Sequence, residues 1–275
     1  MTDVMAAVPA LLRQAADEVV LPVFGMGDAR PEEKSPGEWV TTADRAAEAF
    51  LAPRLAALVP GSVVVGEEAA SADPAVLDRL AAAGDVWLLD PLDGTANFAA
   101  GAPPFALMAA LLRDGEAVAS WILDPLSGRL AAAERRAGAW LDGGRVSVGL
   151  HASELSAMRG AVLRRFLPDG FLGHVDLVEA QFAGLIGGSR CAGHDYPSVV
   201  SRELEFALFW RTLPWDHVPG VLFVSEAGGV AARLDGSPYV AVDHARSGLL
   251  VAHNPDVWSL VRDALVPQRY RVSPR

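Results

Sequence analysis

Apolar residues recur at helical spacing near the start of the chain, at Val4, Val8, Leu11, Leu12 and Val19, with Arg13, Gln14, Asp17 and Glu18 between them. The pattern predicts an amphipathic helix from Val4 to about Phe24. Gly25 to Gly37 is dense in Gly, Pro and charge and predicts an exposed loop. A second helix is expected from about Ala43 to Leu58, capped by Thr41 or Thr42 and ending before Pro60-Gly61.

The pattern then changes to short apolar runs bounded by Gly, Pro or Asp, as buried strands are: Val63-Val64-Val65, Val86 to Leu89, Phe105 to Leu112 and Ala117 to Leu123. Beyond Arg159, strand-like runs (Ala161 to Leu163, Phe206 to Trp210, Gly248 to Ala252) alternate with helical stretches (Pro197 to Arg202, Asp216 to Ala227, Pro255 to Leu265). That alternation predicts layered sheets and helices. No repeat and no linker-like break in composition divides the 275 residues, so one compact unit is expected.

Composition narrows the function. With 51% hydrophobic and 21% charged residues, the chain falls in the globular range. A formal charge of -11 argues against a nucleic-acid polymer as partner, because such binding needs a positive field. An acidic protein that handled phosphate would need cations as intermediaries, which directs attention to clustered carboxylates. The start of the chain has no secretory pattern, no apolar run is long enough to span a membrane, and Cys191 is the single cysteine. These three features predict a cytoplasmic protein with no membrane association.

Acids appear where strand-like runs end. Val63-Val64-Val65 leads into Gly66-Glu67-Glu68, and Val86 to Leu89 leads into Asp90-Pro91-Leu92-Asp93-Gly94-Thr95. Ligands of open sheets gather outside the carboxyl ends of strands. Pro91 fixes the backbone between the two aspartates, and Gly94-Thr95 permits a tight turn into a helix start, where main-chain N–H groups can face a phosphate. Alone, Asp-Pro and Asp-Gly are common turn formers and Glu67-Glu68 suits a solvated helix start. The nine-residue string Asp90 to Phe98 is far more specific.

That string resembles the signature of the inositol monophosphatase superfamily, Asp-Pro-apolar-Asp-Gly-Thr-x-Asn-Phe. The resemblance extends to Lys34-Ser35 with Val40-Thr41-Thr42-Ala43-Asp44, to Gly66-Glu67-Glu68, and to Trp215-Asp216 with Ser225-Glu226-Ala227-Gly228-Gly229, with weaker matches at Gly138-Ala139 and Gly188-Ser189. It implies a magnesium-dependent, lithium-sensitive phosphatase acting on a small soluble phosphate monoester. It further implies an α/β fold, an alternating α/β/α/β/α sandwich of the inositol monophosphatase and fructose-1,6-bisphosphatase type. Its halves would span about 1–145 and 146–275, and it would act as a homodimer.

The resemblance also assigns roles. Glu67, Asp90, the Leu92 carbonyl, Asp93 and Asp216 would hold two or three Mg2+ ions per subunit, Asp90 bridging two of them. All-oxygen ligation suits magnesium better than zinc. Thr95, Asp44 and Glu67 would form the catalytic set, with Thr95 and Asp44 deprotonating and orienting a metal-activated water. Gly94 and Thr95 would bind the phosphate, and Lys34, the only lysine, would lie beside the metal waters or be a solvated side chain. A rival from another class is a non-catalytic sugar-phosphate-binding protein on the same fold.

One departure bears on the substrate. Inositol-handling members carry an acid about seven positions before the C-terminal Asp, where this chain has Phe209. An aromatic ring cannot accept a hydroxyl hydrogen bond as a carboxylate does. Arg190, after Gly188-Ser189, stands where such members have a small residue, and Arg211 is near in sequence. With Ser189, Arg190, Phe209 and Arg211 as candidate substrate contacts, the pattern favours an additional anion or a planar ring, as in a nucleoside 3',5'-bisphosphate, a sugar bisphosphate or histidinol phosphate. The alternative is that Arg190 and Arg211 pair structurally with Glu179, Glu203 or Glu205.

Overall fold

The protein is described by a computed structural model covering residues 2–26, 31–35, 38–149 and 154–272. Helix α1 (Thr2–Ala15) continues through a wide π turn (Ala16–Val20) and a tight 3-10 turn (Leu21–Val23), close to the span expected from its periodicity. The expected loop from Gly25 to Gly37 is corrected in part. Strands β1 (Glu32–Ser35) and β2 (Glu38–Val40) form an antiparallel hairpin, while residues 27–30 and 36–37 of the expected loop lie outside those described. Sequence patterning misses β1 because Glu-Glu-Lys-Ser has no apolar alternation.

Helix α2 (Thr42–Leu58) follows, capped by Thr41. A seven-stranded sheet is then laid down in sequence order: β3 (Val63–Gly66), β4 (Asp85–Asp93), β5 (Ala106–Arg113), β6 (Glu116–Leu123), β7 (Leu130–Glu134), β8 (Gly138–Leu141) and β9 (Gly144–Val146). Within it β3 and β4 are parallel and the other neighbours antiparallel. Two short helices interrupt the series, α3 (Glu67–Ala72) after β3 and α4 (Thr95–Ala99) after β4.

A second sheet of five strands contains β10 (Arg159–Val162), β11 (Gly184–Ile186), β12 (Phe206–Phe209), β13 (Val230–Ala232) and β14 (Leu249–Ala252), in the order β11-β10-β12-β14-β13. Strands β11, β10 and β12 are mutually parallel, and β14 runs against both of its neighbours. Helices α5 (Asp169–Val178), α6 (Ala192–Val200), α7 (Pro214–Glu226) and α8 (Pro255–Leu265) complete the chain. Helix α6 starts five residues before the expected Pro197, which sits inside it.

Period-two alternation sorts the strand residues into layers. On one face of the first sheet Trp87, Leu89, Leu107, Leu111 and Trp121 pack against Leu12, Leu51 and Leu55 of α1 and α2. The opposite face, with Val86, Leu88, Met108 and Ile122, shares a core with Tyr196, Phe223 and Val224 of α6 and α7 and with Ala207, Phe209 and Val251 of the second sheet. The far side of that sheet, with Val162, Phe206 and Leu250, is covered by Phe171 and Val175 of α5 and Val261 of α8. The architecture is therefore an α/β/α/β/α sandwich. No helix among the described residues is long and apolar enough to cross a membrane.

Candidate active site

The parallel pair β3 and β4 brings two acid groups to the same sheet edge. Glu67 follows β3 as the first residue of α3, and Asp90 and Asp93 close β4. Asp216 arrives from another direction, in the first turn of α7. One carboxylate oxygen each from Glu67, Asp90 and Asp216 lies within 4.8 Å of the others. Asp93 is adjacent, but its Oδ2 accepts the Gly193 N–H at 2.6 Å, which ties β4 to the start of α6. Gly94, at φ 87°, makes the turn into α4; a Cβ there would lie 2.9 Å from the Pro104 carbonyl oxygen, so a side chain has no room.

These carboxyls resist ionisation in one another's company. Burial and the charge of Asp216 push Glu67 well above the usual carboxylate range, and burial and the charge of Glu67 do the same for Asp90. Burial raises Asp93 to about 7, and it raises Asp216 to about 6 against the opposing pull of Arg211 and a hydrogen bond with Asp90. The Lys34 ammonium lies 3.2 Å from Glu67 Oε1 and also donates to Glu68. One ammonium does not balance this many acids. A set of hard oxygen donors with excess negative charge fits a divalent cation such as magnesium, which would replace the shared protons.

Beside this cluster the Thr95 hydroxyl donates to Asp44 Oδ1 at 2.8 Å and lies 3.0 Å from the Leu92 carbonyl. Asp44 is fixed by a capping box at the start of α2. Its Oδ2 accepts the Thr41 N–H at 2.8 Å and the Thr41 hydroxyl at 2.5 Å. Burial raises the Asp44 carboxyl to about 6, partly offset by those hydrogen bonds from Thr41 and Thr95.

Glu48, one turn further along α2, is a site residue that sequence reasoning missed. Its carboxylate accepts the N–H groups of Glu68 at 2.8 Å and Ala69 at 2.9 Å. It thus caps α3 from outside, where the N-cap residue Gly66 has no side chain to do so. A Cβ on Gly66 would lie 2.3 Å from the Glu48 carboxylate. Helix α2 thereby aligns Asp44 with Thr95 and Glu48 with the backbone bearing Glu67. Glu48→Ala is expected to raise the magnesium concentration needed for half-maximal turnover about 10–100-fold, the usual cost of losing a group that orients a ligand. A magnesium titration of phosphate release checks this, and an unchanged midpoint would count against it.

The site opens into a cleft of about 520 Å³ lined by Lys34, Glu67, Asp90, Leu92, Asp93, Gly94, Thr95 and Asp216 on one side and by Arg165, Phe166, Arg190, Phe209, Trp210 and Arg211 on the other. Ser189 is not among the lining residues: its hydroxyl donates to the Cys191 carbonyl at 2.8 Å, and its own carbonyl accepts from Asn97 at 2.9 Å. It shapes the loop that carries Arg190. Phe209 is almost wholly buried, stacked on Tyr196 at 5.4 Å and edge-on to His217 at 4.8 Å. Tyr196 donates to His217 Nδ1 and the Arg211 carbonyl accepts from Nε2, while burial lowers the His217 pKa to about 3 and keeps the imidazole neutral.

The structural alternative for the arginines is not supported for Arg190, which is exposed and has no ion-pair partner among the described residues. Glu179 pairs with Arg164 at 2.7 Å, Glu203 with Arg129 at 3.6 Å, and Glu205 accepts the Arg159 N–H at 2.9 Å. Arg211 lies over the Phe166 ring at 4.8 Å.

Comparisons with known proteins identify relatives of the whole chain. The sequence profile of the inositol monophosphatase family matches residues 1–268. An inositol-1-monophosphatase of Mesorhizobium japonicum is 32% identical over 226 residues, 80% of each chain. A histidinol-phosphatase of Chlorobaculum parvum is 30% identical over 250 residues, 88% of this chain and 93% of that protein. The crystal structure of the extragenic suppressor protein suhB of Bartonella henselae superposes with a TM-score of 0.82 at 25% identity, covering 97% of this chain and 98% of that one. The chain belongs to the inositol monophosphatase family of phosphatases.

Proposed function

We propose that this phosphatase hydrolyses a small soluble phosphate monoester with two or three magnesium ions per subunit, held by Glu67, Asp90, the Leu92 carbonyl, Asp93 and Asp216. The observation that carries the reading is the convergence of Glu67, Asp90 and Asp216 within 4.8 Å beside the Thr95–Asp44 hydrogen bond. Magnesium there supplies positive charge that draws the phosphate and makes water a better nucleophile at neutral pH.

The chain's own groups do the rest. With its proton held by Asp44 Oδ1, the Thr95 hydroxyl turns a lone pair to the attacking water and passes the water's proton on to Asp44. As the water oxygen bonds to phosphorus the P–O ester bond breaks, the departing oxygen takes a proton from a solvent water to become the alcohol, and Asp44 returns its proton to solvent. The main-chain N–H groups of Gly94 and Thr95 hold phosphate oxygens, and Lys34 steadies Glu67. Phe209, with its ring locked between Tyr196 and His217, gives the alcohol moiety no carboxylate to bind, which disfavours a bare polyol. A homodimeric, cytoplasmic enzyme completes the reading that the family resemblance supports.

Phosphate release from a panel of monoesters tests it. Release is expected with magnesium and not with chelator, and Thr95→Val is expected to lower kcat about 100-fold or more through the lost proton transfer. No release from any monoester would favour a non-catalytic phosphate-binding protein instead.

A further inference from the structure

The two sheets present opposite charges to one cleft. At the carboxyl ends of β3 and β4 stand Glu67, Asp90 and Asp93. In the second sheet β11, β10 and β12 are adjacent and parallel, and the segment after each one carries an arginine to the cleft: Arg190 after β11, Arg165 after β10 and Arg211 after β12. The strand order puts them in a row. Three parallel strand ends each followed by a cation, in a protein of net charge -11, make an anion-binding edge where ligands of such sheets gather.

Local structure holds the row in place. The guanidinium carbons of Arg165 and Arg211 both lie 4.8 Å from the centre of the Phe166 ring, so one aromatic side chain gathers two like charges that would otherwise separate. Arg190 has φ 60°, a left-handed conformation uncommon for a side-chain-bearing residue, and its loop is tied by Ser189 to Cys191 and by Asn97 to Ser189. Neighbouring Arg164 pairs with Asp176 at 2.6 Å and Glu179 at 2.7 Å.

We propose that the cleft is built for a phosphate monoester carrying a second anionic group, phosphate or carboxylate, which Arg165, Arg190 and Arg211 receive while the scissile phosphate lies at the Glu67–Asp90–Asp216 edge. This rests on the phosphatase reading above and adds the substrate class. Guanidinium groups match the planar or forked oxygens of both anions, and a cleft of about 520 Å³ accommodates a small molecule bearing two of them.

The test compares matched pairs at fixed free magnesium: glucose 1,6-bisphosphate with glucose 1-phosphate for a second phosphate, and 3-phosphoglycerate with glycerol 1-phosphate for a carboxylate. In the wild type kcat/KM is expected to favour the doubly anionic member of at least one pair by about tenfold or more, as charge-assisted hydrogen bonds allow. Arg165→Ala and Arg190→Asn, the latter chosen because Asn tolerates a positive φ, are each expected to pull that ratio toward one. Added salt is expected to do the same, since Arg165 and Arg190 are exposed. Hydrolysis of the single phosphates without preference for their doubly anionic partners, or a preference that both variants leave intact, overturns the subsite while the phosphatase reading stands. Hydrolysis of none of the four with magnesium overturns both.

Discussion

Asp90→Asn is expected to remove nearly all turnover and, in chelator, to raise the melting temperature. Asp90 is buried, with Glu67, Asp93 and Asp216 all acting to discourage its ionisation. The amide keeps an oxygen to accept the Leu92 N–H, which Asp90 Oδ1 accepts at 3.0 Å, so the turn before Gly94 is preserved. What it loses is a carboxyl whose ionisation the metal-free fold opposes and cation binding needs. Several kcal/mol of electrostatic stabilisation from bound cations corresponds to about 10³-fold in rate or more. Relieving like-charge repulsion is the usual way a functional site trades stability for activity. Phosphate release at saturating magnesium and thermal unfolding in chelator measure the two effects, and a variant that turns over normally, or that melts lower than wild type in chelator, would contradict this account.

Magnesium is expected to stabilise the protein more as pH rises. The carboxyls of Asp93, at about 7, and of Asp216 and Asp44, at about 6, titrate above their ordinary values, while Glu67 and Asp90 are raised further. The folded state therefore binds more protons than the unfolded chain between the unfolded and folded pKa values. The stability linked to those protons is complete below the unfolded pKa and is lost as pH rises through the folded one. Metal-free protein should accordingly melt lower at about pH 8 than at about pH 5. A divalent cation competes with the same protons, so its effect grows over that interval. At about 100 times its Kd it contributes roughly 2.7 kcal/mol, or roughly 5–10 °C for a chain of this size. Thermal melts with and without magnesium across that pH range measure this, and an increment that is flat or shrinks with pH would be the contrary result.

The parts of this molecule legible in its sequence are those encoded locally. The unbroken apolar runs of β4 and β5, the Thr41 cap and the order of residues from Asp90 to Phe98 each carry their meaning within a few positions. Glu48 does not, because an acid in the middle of a helix is unremarkable until the fold brings it to Glu68 N–H, 20 residues away. Asp93 shows the same limit: sequence placed it beside the acids but gave no sign that it would accept from Gly193, 100 residues on. The hairpin of β1 and β2 was hidden by its polar composition, and in α5 Gly170 and Gly173 dilute the helical pattern. Arg165 and Phe166 acquire their place in the cleft only through the strand order, which sets them between Arg190 and Arg211.

The opposed sheet edges also bear on how such a protein can change. Glu67, Asp90 and Asp93 are anchored in the first sheet, whereas Arg165, Arg190 and Arg211 sit on connections leaving the second. Substitutions on those connections leave the acid-bearing strands untouched, so the preferred alcohol can drift while the capacity to cleave its phosphate ester is inherited intact.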